Sequence, residues 1–184
     1  HLGMMEAARA ESQAAAEREQ KVVVIDSGHG GNDPGKIGVD ESLEKDINLS
    51  IAKKLKGYLE SSDVKVVMTR EEDKGLYRES DKKKKMADMK KRCEIIADAR
   101  PDAVVSIHQN SYHQENVSGG QVFYYRNSVE GKRLAELLQE RFSYVLGEEN
   151  TRQAKANDSY YLLLHVKEPI VIVEQMANRQ TKND

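Results

Sequence analysis

Three short runs of branched aliphatic residues constrain this chain more than any other feature: Val22–Ile25, Ala103–Ile107 and Ile170–Val173. Each is too short for a helix and rich in Val and Ile, the pattern of a strand buried on both faces of a parallel sheet. Each also leads into a polar group. The first breaks into a glycine-rich turn carrying His29, the second delivers His108, and the third delivers Glu174. Open α/β sheets bind ligands outside the carboxyl ends of their strands, so these groups should meet along one edge. An amphipathic pattern starting near Glu44 adds a carboxylate at the opening of the helix that follows the His29 turn. The expected fold is α/β: a three-layer α/β/α arrangement with a mostly parallel sheet flanked by helices.

Composition narrows the class. With 29 lysines and arginines against 31 aspartates and glutamates, the 184-residue chain has no net field that would draw nucleic acid. That length suits one domain and leaves little room for a second. Trp is absent and only two Phe occur, so the core must rely on Val, Ile, Leu and Tyr. A single cysteine, Cys93, excludes an internal disulfide framework and a cysteine-based zinc cluster. No apolar run approaches the roughly 20 residues that span a bilayer. The chain opens on His1 rather than Met, as a removed signal or anchor segment or a trimmed expression boundary would leave it.

Residues 1–20, rich in Ala, Glu, Arg and Gln, favour helix but carry little apolar face. They read as a polar stalk or tag remnant ahead of a domain over residues 21–184. Ile47, Ile51, Leu55 and Leu59 recur every four residues and predict a core-facing helical stripe, with Lys53, Lys54 and Lys56 on the other face. Ser61–Asp63 reads as a turn and VKVVMT as a second strand. Lys82–Lys85 is a basic run, either a solvated helix start or loop, or a contact to an anionic polymer. Met86, Met89, Cys93 and Ile96 have helical spacing, so Cys93 is expected to be a buried apolar residue, and Pro101 closes that helix. QVFYY predicts a strand at a sheet edge; Ser128 is the N-cap and Gly147 the stop of the helix that follows. EENTRQAKANDSYYLLLHVKEP reads as a loop around the apolar patch Tyr160–Leu164, before the last strand, IVIVE.

A zinc hydrolase needs three protein ligands and an open position for water; zinc lowers the water's pKa and polarises the scissile carbonyl. His29, Glu44 and His108 meet that requirement, and the glycines of SGHGG let backbone and substrate come close. Glu174, held at a strand end, can take a proton from that water and pass it to a leaving amine, or serve as a fourth ligand. Asn110, two residues past His108, can donate to substrate or orient the site. Arg152, Lys155 and the Tyr160–Tyr161 pair are candidate walls of a substrate groove. His113, five residues past His108, and His165, beside the Tyr160–Leu164 patch, read as ordinary histidines.

Taken in order, DSGHGGNDPGKIG, LEKDINLSIAKKLKGYL, MTRE, SIHQNS and PIVIVE resemble the N-acetylmuramoyl-L-alanine amidase family (amidase_3) of zinc-dependent cell-wall hydrolases, over nearly all of Lys21–Glu174. The resemblance implies Zn2+ bound by His29, Glu44 and His108, with Glu174 catalytic. It also implies cleavage of the amide between the lactyl group of muramic acid and L-alanine of the stem peptide. Within the family, GLYRES, SGGQVFYY and ENTRQAKANDSYYLL look most similar to the spore-cortex amidases of the CwlD type. That likeness implies removal of stem peptides for muramic-δ-lactam formation, with peptidoglycan and a lipoprotein activator as partners. It implies export as well, to the cell envelope or the forespore intermembrane space. Two departures stand out. Ser27 occupies a position where members usually have Pro. QMANRQTKND follows Glu174 in place of a CGFLSN-like segment and a further helix, so a truncated or divergent C-terminus is expected.

A second class of function is motivated by that altered tail: a peptidoglycan-binding pseudo-amidase that needs a partner for activity. Retention of the three ligands and Glu174 argues against it, because pure binding needs no general base. A zinc exopeptidase would share the chemistry, but the chain has no H-x-x-E pair of the carboxypeptidase kind.

Overall fold

The three apolar runs become neighbouring strands. The computed structural model describes residues 20–38, 40–109, 119–147 and 151–176. Its elements are β1 (Val22–Ser27), α1 (Glu44–Glu60), β2 (Lys65–Met68), α2 (Lys84–Ala99), β3 (Ala103–Gln109), β4 (Gly119–Tyr125), α3 (Val129–Leu146), β5 (Lys155–Asn157), α4 (Tyr161–His165) and β6 (Ile170–Met176). They form one sheet in the order β2-β1-β3-β6-β4-β5. The first four strands of that order run parallel; β4 is antiparallel to β6, and β5 parallel to β4. Alternation along the strands divides the apolar side chains between two layers. Ile25, Met68 and Ile107 pack against α1, and Val122, Val171 and Val173 against α3, with Val105 touching both clusters. On the opposite face Val24, Val104, Ile170 and Ile172 meet Ile96 of α2 and Leu162 and Leu163 of α4. The three-layer, mostly parallel fold read from the sequence is the one observed.

Several boundaries differ from expectation for identifiable reasons. The strand around QVFYY is not at the edge and starts two residues earlier, at Gly119, because β5 pairs along its outer side. β5 spans only Lys155–Asn157, too short for a period-two signal, inside what reads as a loop. The Tyr160–Leu164 patch carries α4, whose Leu162 and Leu163 are buried. In α1 the buried centre is Glu44, Asn48 and Ala52, so the core-facing stripe is rotated away from Ile47. Met86 is exposed, while Met89, Cys93 and Ile96 pack in the core as expected. Burial pushes the Cys93 thiol's pKa up, in keeping with an inert packing residue. Ser128 caps α3, its Oγ accepting from Gly131 N at 3.0 Å, and Gly147 ends it at φ 77°. The stalk assigned to residues 1–20, Gln20 apart, and the tail Ala177–Asp184 lie outside the described residues.

Candidate metal centre and cleft

β1 leaves the sheet through a turn whose geometry is costly for an ordinary residue. His29 has φ 62°, the left-handed region that non-glycine residues seldom occupy, and Gly30 and Gly31 follow at φ 134° and 58°. Two buried arginines hold the turn by its carbonyls. Arg92 donates through Nη1 to Ser27 O at 2.7 Å and through Nη2 to His29 O at 2.8 Å. Arg70 donates through Nε to Ser27 O and through Nη2 to Gly28 O, both at 3.0 Å. Their charge is answered by Asp26, the last side chain of β1 on that face. Its carboxylate takes Arg92 Nη1 at 2.7 Å, Thr69 Oγ1 at 2.8 Å and Ser106 Oγ at 2.6 Å. Burial alone would raise the Asp26 pKa, but the Arg92 charge and these hydrogen bonds bring it down to about 2.

The turn presents His29 to Glu44, the first residue of α1. Glu44 N donates to Lys36 O at 2.9 Å, and Glu44 and Asp46 put negative charge in the first turn, where the helix dipole favours it. Glu44 Oε1 receives four groups: His29 Nε2 at 3.1 Å, His108 Nδ1 at 3.2 Å, Gln109 N at 3.0 Å and Asn48 Nδ2 at 3.4 Å. Its Oε2 accepts from Lys36 N at 2.9 Å. Burial would raise the Glu44 pKa, yet the hydrogen bonds from both histidines and the two amides hold it well below the carboxylate range. His29 Nδ1 lies 2.9 Å from Asp33 Oδ2, which leaves Nε2 aimed at Glu44. Burial would lower the His29 pKa, and its bonds to Glu44 and Asp33 raise it overall. One donor atom each from His29, Glu44 and His108 lie within 4.8 Å of one another, an arrangement that can hold a metal ion. Glycine is required beside it. A Cβ on Gly28 would overlap the His108 ring, and one on Gly35 would come within 2.7 Å of Glu44 Oε2 and 2.8 Å of His29 Cδ2.

Glu174 joins this group from the neighbouring strand. It is the Cα partner of His108 in the β3–β6 pairing and is buried. Its Oε1 accepts a short hydrogen bond from the Tyr160 hydroxyl, its one side-chain partner among the described residues. A cleft of about 740 Å³ runs past His29, Glu44, His108, Glu174, Tyr160 and Tyr161, with Lys36, Lys84 and Lys85 on its wall. Two residues of the basic run thus face the cleft, although Lys84 is also paired with Glu79 at 2.6 Å. Tyr161 lines the cleft. Arg152 and Lys155 do not line it: they lie on the approach to and in β5, the edge strand two places from β6. His165 stacks on Tyr161 at 3.9 Å and bonds its carbonyl, away from the cleft. Asn110 and His113 lie outside the described residues. Asp33, Arg70, Arg92 and the Tyr160–Glu174 bond were not foreseen. Arg92 had one available signal, a charge set within the apolar spacing of Met89 and Ile96.

The sequence pattern of the N-acetylmuramoyl-L-alanine amidases matches residues 23–183. This chain belongs to that family. The germination-specific N-acetylmuramoyl-L-alanine amidase of Bacillus subtilis is 34% identical over 157 residues, 84% of this chain and 65% of that protein. LytC of the same organism is 30% identical over 84% of this chain and 29% of its own length. The chain therefore spans less than two thirds of either curated relative. Among solved structures, the CwlD amidase from Clostridioides difficile, in complex with the GerS lipoprotein, matches with a TM-score of 0.80 and 38% identity. That match covers 85% of this chain and 82% of the other. The relatives include the CwlD-type amidases that the sequence resembles. Among the described residues no helix is long and apolar enough to cross a membrane.

Proposed function

We propose that this chain is a zinc-dependent N-acetylmuramoyl-L-alanine amidase, acting on the amide between the lactyl group of N-acetylmuramic acid and L-alanine of the stem peptide. The observation that carries the proposal is the convergence of His29 Nε2 and His108 Nδ1 on Glu44 Oε1, with Glu174 directly across from His108. The donor set fits zinc. Two imidazole nitrogens and a carboxylate oxygen are the ligand types zinc takes, and here the three atoms lie within 4.8 Å of one another. Zinc, when bound, supplies Lewis acidity toward water and the amide carbonyl. His29, Glu44 and His108 would hold it, and Asp33 fixes the His29 ring.

Glu174 takes a proton from the attacking water as the new C–O bond forms. It returns a proton to the alanine nitrogen as the C–N bond breaks, so the carboxylate is regenerated. Tyr161 offers an aromatic wall, and Lys85 offers a cation suited to stem-peptide carboxylates. Asn110 remains a candidate substrate donor. The similarity to the germination-specific and CwlD amidases supports a place in spore-cortex maturation, a lipoprotein activator and a location outside the cytoplasm. We assign the activity to a domain over residues 21–184, with residues 1–20 a polar stalk or tag remnant outside it.

The test is metal content together with release of L-alanine amino termini from peptidoglycan, in the wild type and in Glu174→Ala. The expected result is about one zinc per chain in both proteins, with release lost only in the variant. Zinc without release by the wild type would favour the binding-module reading, and failure to take up zinc would sink the site.

A further inference from the structure

Glu174 is fixed at its backbone by β6, but a glutamate side chain has three rotatable bonds between backbone and carboxylate. A general base must be held to within a fraction of an ångström of its working position. Among the described residues, the only group bonded to the Glu174 side chain is the Tyr160 hydroxyl. That hydroxyl is itself positioned from several directions. Asn157 Oδ1, at the end of β5, accepts from Tyr160 N at 2.9 Å and from Ser159 N at 2.8 Å. The Tyr160 carbonyl takes Leu164 N at 3.2 Å, closing the first turn of α4. Its ring meets Phe123 of β4 edge-on at 5.6 Å. The phenol is therefore placed by the sheet's far strands and aimed at the cleft.

Resting on the amidase reading above, we infer that Tyr160 is the positioning residue for Glu174: its hydroxyl holds Oε1 and leaves Oε2 to exchange protons with water and the leaving amine. Burial, then the hydrogen bond and charge of Glu174, then the charge of Glu44, all push the phenol's pKa up. It stays a donor through the neutral range. Tyr160 moves no proton to substrate in this scheme, and acts only through the carboxylate it holds.

The experiment compares the zinc-loaded wild type with Tyr160→Phe, Glu174→Ala and the double variant, on peptidoglycan. Tyr160→Phe keeps the ring against Phe123 and removes only the hydroxyl. Its kcat should fall roughly 10- to 100-fold, with KM within about twofold and zinc affinity, read by chelator competition, unchanged. Any residual release by Glu174→Ala, measured at high enzyme concentration, should change by less than about twofold when Tyr160→Phe is added. Asn157→Ala, which frees the Tyr160 backbone, should lower kcat in the same direction by a smaller factor. Wild-type kcat in Tyr160→Phe would overturn the inference while leaving the amidase reading intact. So would a loss explained by weaker zinc binding, or one that multiplies with Glu174→Ala as an independent oxyanion donor's would. Absence of release by the zinc-loaded wild type would overturn both.

Discussion

Arg92→Met should destabilise the protein by about 3–5 kcal/mol at neutral pH, and the loss should shrink in acid. Arg92 is 2% exposed and spends its donors on Asp26, Asp88, Ser27 O and His29 O. Methionine keeps most of the stem but leaves Asp26, itself 1% exposed, charged, with two hydroxyls as its hydrogen-bond donors and only the less direct charge of Arg70. The pH dependence follows from the carboxylate. In the wild type the Asp26 pKa is lowered from 3.8 to about 2. A lowered pKa contributes stability that is complete above the unfolded value and lost as pH falls through the folded one. Here that is about 2 kcal/mol, disappearing between roughly pH 4 and pH 2. Without Arg92, burial dominates and the folded-state pKa rises above the unfolded one. The same group then opposes folding as pH increases. The difference in stability between the two proteins must therefore grow with pH from about 2 upward, by at least about 2 kcal/mol. Urea unfolding from pH 3 to pH 7, with chelator present so that metal affects neither protein, measures it. A difference that is flat with pH, or below about 1 kcal/mol at pH 7, would refute the reasoning.

Four further outcomes are expected. Gly28→Ala should abolish stoichiometric zinc binding by displacing the His108 ring, which metal analysis after dialysis would show. Asp33→Asn should weaken zinc binding about 10- to 100-fold with all three ligands present, measured by chelator competition. Ser27→Ala should be neutral or stabilising by up to about 1 kcal/mol in urea unfolding. Ser27 Oγ is the one buried side-chain polar atom without a hydrogen-bond partner among the described residues. Removing the metal should lower the melting temperature by the binding linkage alone, with far-UV circular dichroism and cooperative unfolding retained.

What could be read in the sequence followed from periodicity. Val22–Ile25, Ala103–Ile107 and Ile170–Val173 are legible as buried parallel strands because both of their faces are apolar, and their ends therefore mark one sheet edge. His29, Glu44, His108 and Glu174 come together for that reason, as anticipated. The supporting groups were hidden by the same rule. Asp26 ends the first apolar run, and Arg70 and Arg92 sit in a strongly charged region, where charged residues are normally solvent-facing. Only the pairing across β1, β2, β3 and α2 turns them into a buried network, and such long-range partners leave no local spacing. β5 escaped notice because three residues carry too little alternation. Arg152 was misplaced because the segment holding it leads into that unseen strand.

The network also explains how a metal half-site can sit on a loop. Turns such as Ser27–Gly31 expose carbonyls that a sheet cannot satisfy, and buried carbonyls must find donors. Arg70 and Arg92 supply them from β2's end and from α2, fixing the backbone that carries His29. Lys36 N and Gln109 N fix Glu44, so the proposed ligands are held by protein bonds without an ion. In a zinc finger the metal's binding energy supplies the folding energy. Here the buried hydrogen bonds and ion pairs hold the loop without any ion, so on the proposed reading the metal's affinity would not be needed for folding. The cost is that Asp26, Arg70 and Arg92 must be buried together, with two like charges adjacent: burial and the Arg92 charge both lower the Arg70 pKa, while Asp26, Asp73 and Asp88 oppose them. Replacing one member uncovers the charge of the others, so the network should behave as a unit whose failure removes the metal loop and the sheet edge together.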